Sequence, residues 1–273
     1  MTHPRLSVSA MCTYPWSFAE DLALWEELGI RRAGLILAKL EAHGLRDALA
    51  ALAKRGIAGT TIITHNFDLS APDTWDATRA IIKRAVDVAA DVGGTPYFTP
   101  GAGDGRPADA LAAALARAVE PCVAYADARG VRLAIEPTLR RERSFVHTLG
   151  DGAEVAWQAG VSAVADLGNC WMEPGLDEVV RRVGPRIAVA QFADARTGAG
   201  GEASPGRAVP GDGDLDIGRF IRAVLATGYT GAFELELVGP RIEAEGHASA
   251  TRRGVARANT LLDTVLPREG ALP

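Results

Sequence analysis

Four side chains with oxygen donors close four successive strand-like runs in the second half of the chain. Glu136 follows Val131-Arg132-Leu133-Ala134-Ile135, and Asp166 follows Val161-Ser162-Ala163-Val164-Ala165. Gln191 follows Ile187-Ala188-Val189-Ala190, and Glu236 follows Ala232-Phe233-Glu234-Leu235. Each alone reads equally well as a cap for the element after it. Four in succession, separated by helix-like stretches, point to one shared site. In a barrel of parallel strands the C-terminal strand ends open on one face, where active sites sit. Four oxygen ligands there suit a hard divalent cation. Two glutamates on opposite sides of a bound substrate, Glu136 and Glu236, can trade a proton with it. A cation bridging two substrate oxygens would acidify the C–H between them and stabilise the resulting enediolate. Such chemistry needs no nucleophilic serine or cysteine. Glu234 shares the side of Glu236 by strand alternation. It lies further from the mouth and reads as a buried partner behind the site.

The elements that must position these residues alternate along the whole chain. Strand-like runs are expected at 6–11, 31–37, 58–64, 95–99, 131–135, 161–165, 187–190 and 232–235. Helix-like segments are expected at 18–28, 41–55, 73–92, 107–129, 148–158, 176–183 and 249–266. Ser17 with Glu20 spells an N-terminal capping box, and Gly29 a stop. Pro121 lies inside the 107–129 pattern, where a kink or break is expected. Strict alternation specifies an α/β fold, a single (β/α)8 barrel spanning residues 1–273. An open doubly wound sheet would carry a Gly-rich turn after its first strand, and Cys12-Thr13-Tyr14-Pro15-Trp16-Ser17 has no glycine. The longest irregular stretch, 193–214, follows the seventh strand and so emerges on the catalytic face. It contains Gly198-Ala199-Gly200-Gly201 and Pro210-Gly211-Asp212-Gly213 and reads as a lid or as a floppy surface loop.

Composition narrows the partners. The 273 residues fit one barrel of about 250 residues. A net charge of −5 with no basic run argues against nucleic acid or an anionic membrane. No apolar stretch reaches the ~20 residues needed to span a bilayer, and the N-terminus lacks a signal-peptide core. Cys12, Cys122 and Cys170 are odd in number and widely spaced, which favours a reducing compartment. A cytoplasmic protein is the expectation.

Several segments now line up with a known pattern. Glu136-Pro137-Thr138-Leu139-Arg140-Arg141-Glu142 looks like Glu-Pro-x-Asn-Arg-x-Glu, and Asp166-Leu167-Gly168-Asn169 like Asp-x-x-His. Gln191-Phe192-Ala193-Asp194 looks like His-x-x-Asp. Gly228-Tyr229-Thr230-Gly231 leads to Glu236 as a Gly-Tyr-x-Gly segment leads to a last ligand. In these motifs the chain resembles the sugar phosphate isomerase/epimerase superfamily. These are xylose-isomerase-like TIM barrels that include ketose 3-epimerases, hydroxypyruvate isomerase and inosose dehydratase. The resemblance implies that Glu136, Asp166, Gln191 and Glu236 hold one divalent cation, manganese or magnesium first, cobalt or zinc next. It implies Glu136 and Glu236 as the acid/base pair and Glu142 as a substrate contact. Asn169 stands where the family has a substrate-contacting histidine, and Gln191 where it has a ligand histidine. A glutamine oxygen is a neutral, weaker donor for transition metals, which shifts preference toward manganese or magnesium. The family's three-zinc endonuclease branch needs a histidine-rich site that five histidines so placed cannot supply.

At the mouth, His65 ends the third strand and reads as a substrate contact or a structural residue. Trp171 and Trp16 lie just beyond strand ends, as pocket walls or as loop packing. Arg196 reads as a substrate contact or a solvated loop residue. The expected activity is a divalent-metal-dependent isomerase or epimerase of a ketose, cyclitol or related sugar ketone. A lyase on the same scaffold, dehydratase or deglycosidase, begins with the same proton abstraction. A non-catalytic sugar-binding protein with a decayed metal site is the third reading. The partner is a small sugar-like molecule, and the resemblance implies a homodimer paired through outer helices or loops.

Overall fold

The computed structural model describes residues 2–197 and 206–266. Its strands are β1 (Leu6–Ser9), β2 (Arg32–Ile36), β3 (Ala58–Ile63), β4 (Thr95–Phe98), β5 (Ala134–Ile135), β6 (Ser162–Asp166), β7 (Ile187–Phe192), β8 (Asp194–Ala195), β9 (Arg207–Ala208) and β10 (Phe233–Leu235). Eight of them are parallel and close in chain order into a barrel, β1-β2-β3-β4-β5-β6-β7-β10, with β10 back against β1. Strands β8 and β9 form a separate antiparallel pair. Outside the barrel lie α1 (Phe18–Leu28), α2 (Leu37–His43), α3 (Leu45–Arg55), α4 (Trp75–Val92), α5 (Ala108–Asp127), α6 (Leu149–Gln158), α7 (Leu167–Cys170), α8 (Leu176–Val183), α9 (Ile217–Leu225), α10 (Pro240–Glu245) and α11 (His247–Val265). Among the described residues no helix is long and apolar enough to cross a membrane. The cysteines are free and buried.

The expected (β/α)8 barrel is what forms, and its departures have local causes. The capping box at α1 is present with both bonds, and Gly29 ends the helix at φ 66°. The segment expected as one helix at 41–55 is two, α2 and α3, parted at Gly44, whose φ of 94° and ψ of 103° no helix accommodates. Leu37, expected in the second strand, is the first residue of α2. The break expected at Pro121 does not occur, and α5 runs uninterrupted through it. Proline lacks the N–H that would bond the Arg117 carbonyl four residues back. Arg79 of α4 fills that role, its Nη2 donating to Arg117 O at 3.0 Å and its Nε to Ala118 O at 2.8 Å.

The barrel interior is divided. On β4 to β7 it is filled by Tyr97, Ala134, Val164 and Val189. Across from them it is polar. Ser7, Thr60, Thr61 and Gln191 all donate to the carboxylate of Glu234, which is 1% exposed. Gly34 of β2 makes room for that carboxylate. A Cβ there would lie 2.6 Å from both Glu234 Oε2 and Thr61 Oγ1.

The stretch expected as an irregular lid is anchored at its base. Its middle, residues 198–205 with the Gly198–Gly201 segment, lies outside the described residues. Asp194 is 2% exposed and accepts four backbone N–H groups. Its Oδ2 takes those of Gly211 (2.8 Å) and Gly213 (3.0 Å), and its Oδ1 those of Leu215 (3.0 Å) and Ala195 (2.8 Å). The 210–213 turn is thus folded around one carboxylate. Asp212 ties the same turn to α11 through Arg253 (2.6 Å) and Arg257 (2.9 Å). Asp194→Asn keeps the size but turns an amide NH2 toward two N–H donors. An unsatisfied buried group costs about 1–3 kcal/mol, so the variant should lose roughly 2–4 kcal/mol in urea unfolding. A change within about 0.5 kcal/mol, the range of neutral surface substitutions, would show that Asp194 does not organise the turn.

Candidate metal centre

The parallel register brings the polar strand ends level. Asp166 on β6 and Glu234 on β10 both pair with Gln191 of β7. Glu236 follows β10 by one residue, its N–H donating to Phe192 O at 3.1 Å. Glu136 follows β5 in the same way, bonding Phe98 O at 3.0 Å. Glu136, Asp166 and Glu236 are buried, and each offers an oxygen within 4.8 Å of the others.

Each carboxylate is held by named donors. Asp166 caps α7, its Oδ1 accepting the Gly168 N–H at 3.0 Å. Asn169 Nδ2 bridges two of the three, donating to Glu136 Oε1 and to Asp166 Oδ2, both at 2.8 Å. Its Oδ1 accepts from Thr138 Oγ1 at 3.1 Å, which fixes the amide. Glu236 Oε2 accepts from Gln191 Nε2 (3.0 Å), Ser9 Oγ (3.3 Å) and Tyr97 OH (3.3 Å). Gln191 Nε2 also lies 2.9 Å from Glu234 Oε1. With two carboxylates on one side of the amide, its nitrogen must face them. Gln191 Oε1 is left buried with no hydrogen-bond partner among the described residues.

Arg207 enters this cluster from β9. Its Nη2 donates to Asp166 Oδ2, and its Nη1 lies 3.4 Å from Glu236 Oε1 and donates to the Glu236 carbonyl at 3.0 Å. The guanidinium covers Gly168, where a Cβ would lie 2.8 Å from Arg207 Nε. Burial works against its charge, but Asp166, Glu236 and Glu136 outweigh that and push its pKa up.

Burial and crowding act on the acids in the opposite sense. Burial first, then Glu236 and Asp166, holds Glu136 well above the carboxylate range. Burial raises Glu236 to about 7, with Arg207 opposing and Asp166 and Glu234 adding to the rise. Like charges crowded in a dry site push both glutamates toward protonation, a pressure that a bound cation would relieve. The thiols are not poised to react. Burial pushes Cys12, bonded to Leu235 O and Leu237 N–H behind the site, up to about 12.

The donor set fits a hard divalent cation. Three carboxylate oxygens converge. Gln191 keeps a buried amide oxygen without a hydrogen-bond partner among the described residues, while its nitrogen is the atom turned to Glu234 and Glu236. The other residues singled out in the sequence lie apart from this cluster. Glu142 is 67% exposed and pairs with Arg140 at 3.2 Å. His65 is exposed beyond β3. Trp171 is half-buried against the core beside α7. Arg196 donates to the Asp212 carbonyl at 2.9 Å, a contact within its own loop. Asn169 does belong to the centre, but as the clamp between two carboxylates. Three members were missed. Arg207 is one arginine among many in a loop. Ser9 and Tyr97 face inward by strand alternation on β1 and β4, a signal present in the sequence but not distinctive.

Solved structures share this architecture. A protein from Sinorhizobium meliloti 1021 superposes with a TM-score of 0.81 at 24% identity, covering 94% of this chain and 98% of that one. The IolI protein with a bound zinc atom gives 0.82 at 15% identity, covering 97% and 100%. A D-psicose 3-epimerase determined in the presence of D-fructose gives 0.76 at 16% identity, covering 97% and 100%. Among curated proteins none matches. The model of the xylose isomerase-like TIM barrel family matches residues 22–258, most of the barrel and its helices, and the chain belongs to that family.

Proposed function

We propose that the chain is a divalent-metal-dependent isomerase or epimerase acting on a ketose, cyclitol or related sugar ketone. The observation that carries this reading is the buried triad of Glu136, Asp166 and Glu236, whose ligand oxygens all lie within 4.8 Å of one another. The likeness to a D-psicose 3-epimerase supports a sugar ketone as substrate. Glu136, Asp166, Glu236 and the Gln191 amide oxygen would hold the ion, manganese or magnesium by their hardness. When bound, the ion supplies Lewis-acid polarisation of substrate oxygens.

The remaining work falls to side chains of this protein. Glu236 is the base that takes a carbon-bound proton. Ser9, Tyr97 and Gln191 fix the direction of its carboxylate. Glu136 is the group that returns a proton from the other side of the reacting carbon. A bound cation would offset the burial and crowding that push both acids up. His65, Trp171 and Glu142, at or near the mouth, are available to the outer parts of a substrate.

Three outcomes test the proposal. Chelator treatment should abolish turnover, and manganese should restore it and raise the melting temperature. Full activity in rigorously metal-free protein would refute the dependence. A panel of ketohexoses, ketopentoses, inososes and oxidised glycosides, screened by mass and NMR in deuterated water, should reveal an isobaric product with label at the exchanged carbon. A product lighter by one water would instead make the enzyme a lyase. With that substrate, Glu136→Gln and Glu236→Gln should each lower turnover by about 10²–10⁴-fold while manganese still binds. Wild-type turnover in the double variant would remove both residues from the acid/base roles.

A further inference from the structure

Arg207 brings a positive charge of the protein's own to the carboxylates that converge for a cation. Its guanidinium engages two of the three, Asp166 through Nη2 and Glu236 through Nη1 at 3.4 Å. A third bond, Nη1 to the Glu236 carbonyl at 3.0 Å, fixes the fork against the end of β10. The side chain is 11% exposed, so these contacts are only weakly screened by solvent. Asp166 is heavily engaged: Oδ1 accepts the Gly168 N–H, and Oδ2 is shared by Asn169 and Arg207, so Arg207 occupies lone-pair positions on the side of the triad.

From this geometry we infer that Arg207 is a built-in competitor for the metal: it neutralises the triad when no ion is bound and must yield Asp166 and Glu236 for one to bind. The inference rests on the triad being a divalent-cation site and adds a regulation of that site. Two consequences follow. The metal-free protein is stabilised by an internal ion pair, since burying these carboxylates without a partner charge would be strongly unfavourable. The measured metal affinity is also lower than the donor set alone would give, because part of the binding free energy displaces the guanidinium. An arginine that merely braced the ligands would act in the other direction, and its removal would weaken metal binding.

The experiment is a manganese titration by calorimetry of chelator-stripped wild type, Arg207→Gln and Arg207→Lys. The expected order is Arg207→Gln tightest, by about tenfold or more over wild type, with Arg207→Lys between them. Metal-free Arg207→Gln should melt below metal-free wild type and gain more on adding manganese. Should Arg207→Gln fail to fold, Arg207→Lys decides by the same ordering. In Arg207→Ala, millimolar guanidinium ion should refill the vacated place and weaken manganese binding, while leaving wild-type affinity unchanged. Equal or weaker manganese affinity in the variants, with wild type binding normally, would overturn the competitor role and leave the metal-dependent reading standing. No manganese bound by any of these proteins would refute that reading, and this inference with it.

Discussion

Desolvation of carboxylates governs the centre of this molecule. Glu136, Asp166, Glu234 and Glu236 are all buried in one barrel, where an ionised acid without partners would be costly. Around them β1, β3, β7 and β10 bring polar side chains into the interior, although small barrels are usually filled with branched apolar residues. Ser7, Ser9, Thr60, Thr61, Tyr97, Asn169 and Gln191 supply neutral donors. Arg207 supplies charge. The neutral donors satisfy Glu234 completely, whereas the outer three acids still carry excess negative charge. That imbalance explains the raised acids, the firmly charged arginine and the suitability of the place for a divalent ion.

The architecture was legible because the signals that define a barrel are periodic and repeated. Eight runs of apolar and β-branched residues, each followed by an amphipathic segment, leave little choice of topology. Single residues decided the places where the reading failed. Gly44 split a helix through its own backbone angles, and Pro121 failed to break one because Arg79, forty-two positions earlier in sequence, satisfied the exposed carbonyl. A tertiary hydrogen bond of that kind has no local trace.

The same distinction runs through the site. Glu136, Asp166, Gln191 and Glu236 were visible because strand ends are sequence landmarks and acids are rare inside apolar runs. Arg207 was not, because it reaches the centre from a two-stranded ribbon outside the barrel, and nothing in its neighbours marks it. Arg196, a substrate contact or a solvated loop residue on its sequence, has its guanidinium turned back onto the 210–213 turn. Asn169 stands where the family has a histidine, and its amide spans two acids, a task that suits a group with two N–H donors on one nitrogen.

Gly34 and Glu234 are fitted to each other across the barrel, the absent side chain of one leaving space for the carboxylate of the other. The two positions therefore draw on one volume. An added Cβ at position 34 would first meet the ends of Glu234 and Thr61, so it would push on the hydrogen-bonded carboxylate before the strands themselves. Glycine there acts as a spacer that lets an acid lie close against β2, and a larger residue would disturb the polar network before it disturbed the barrel.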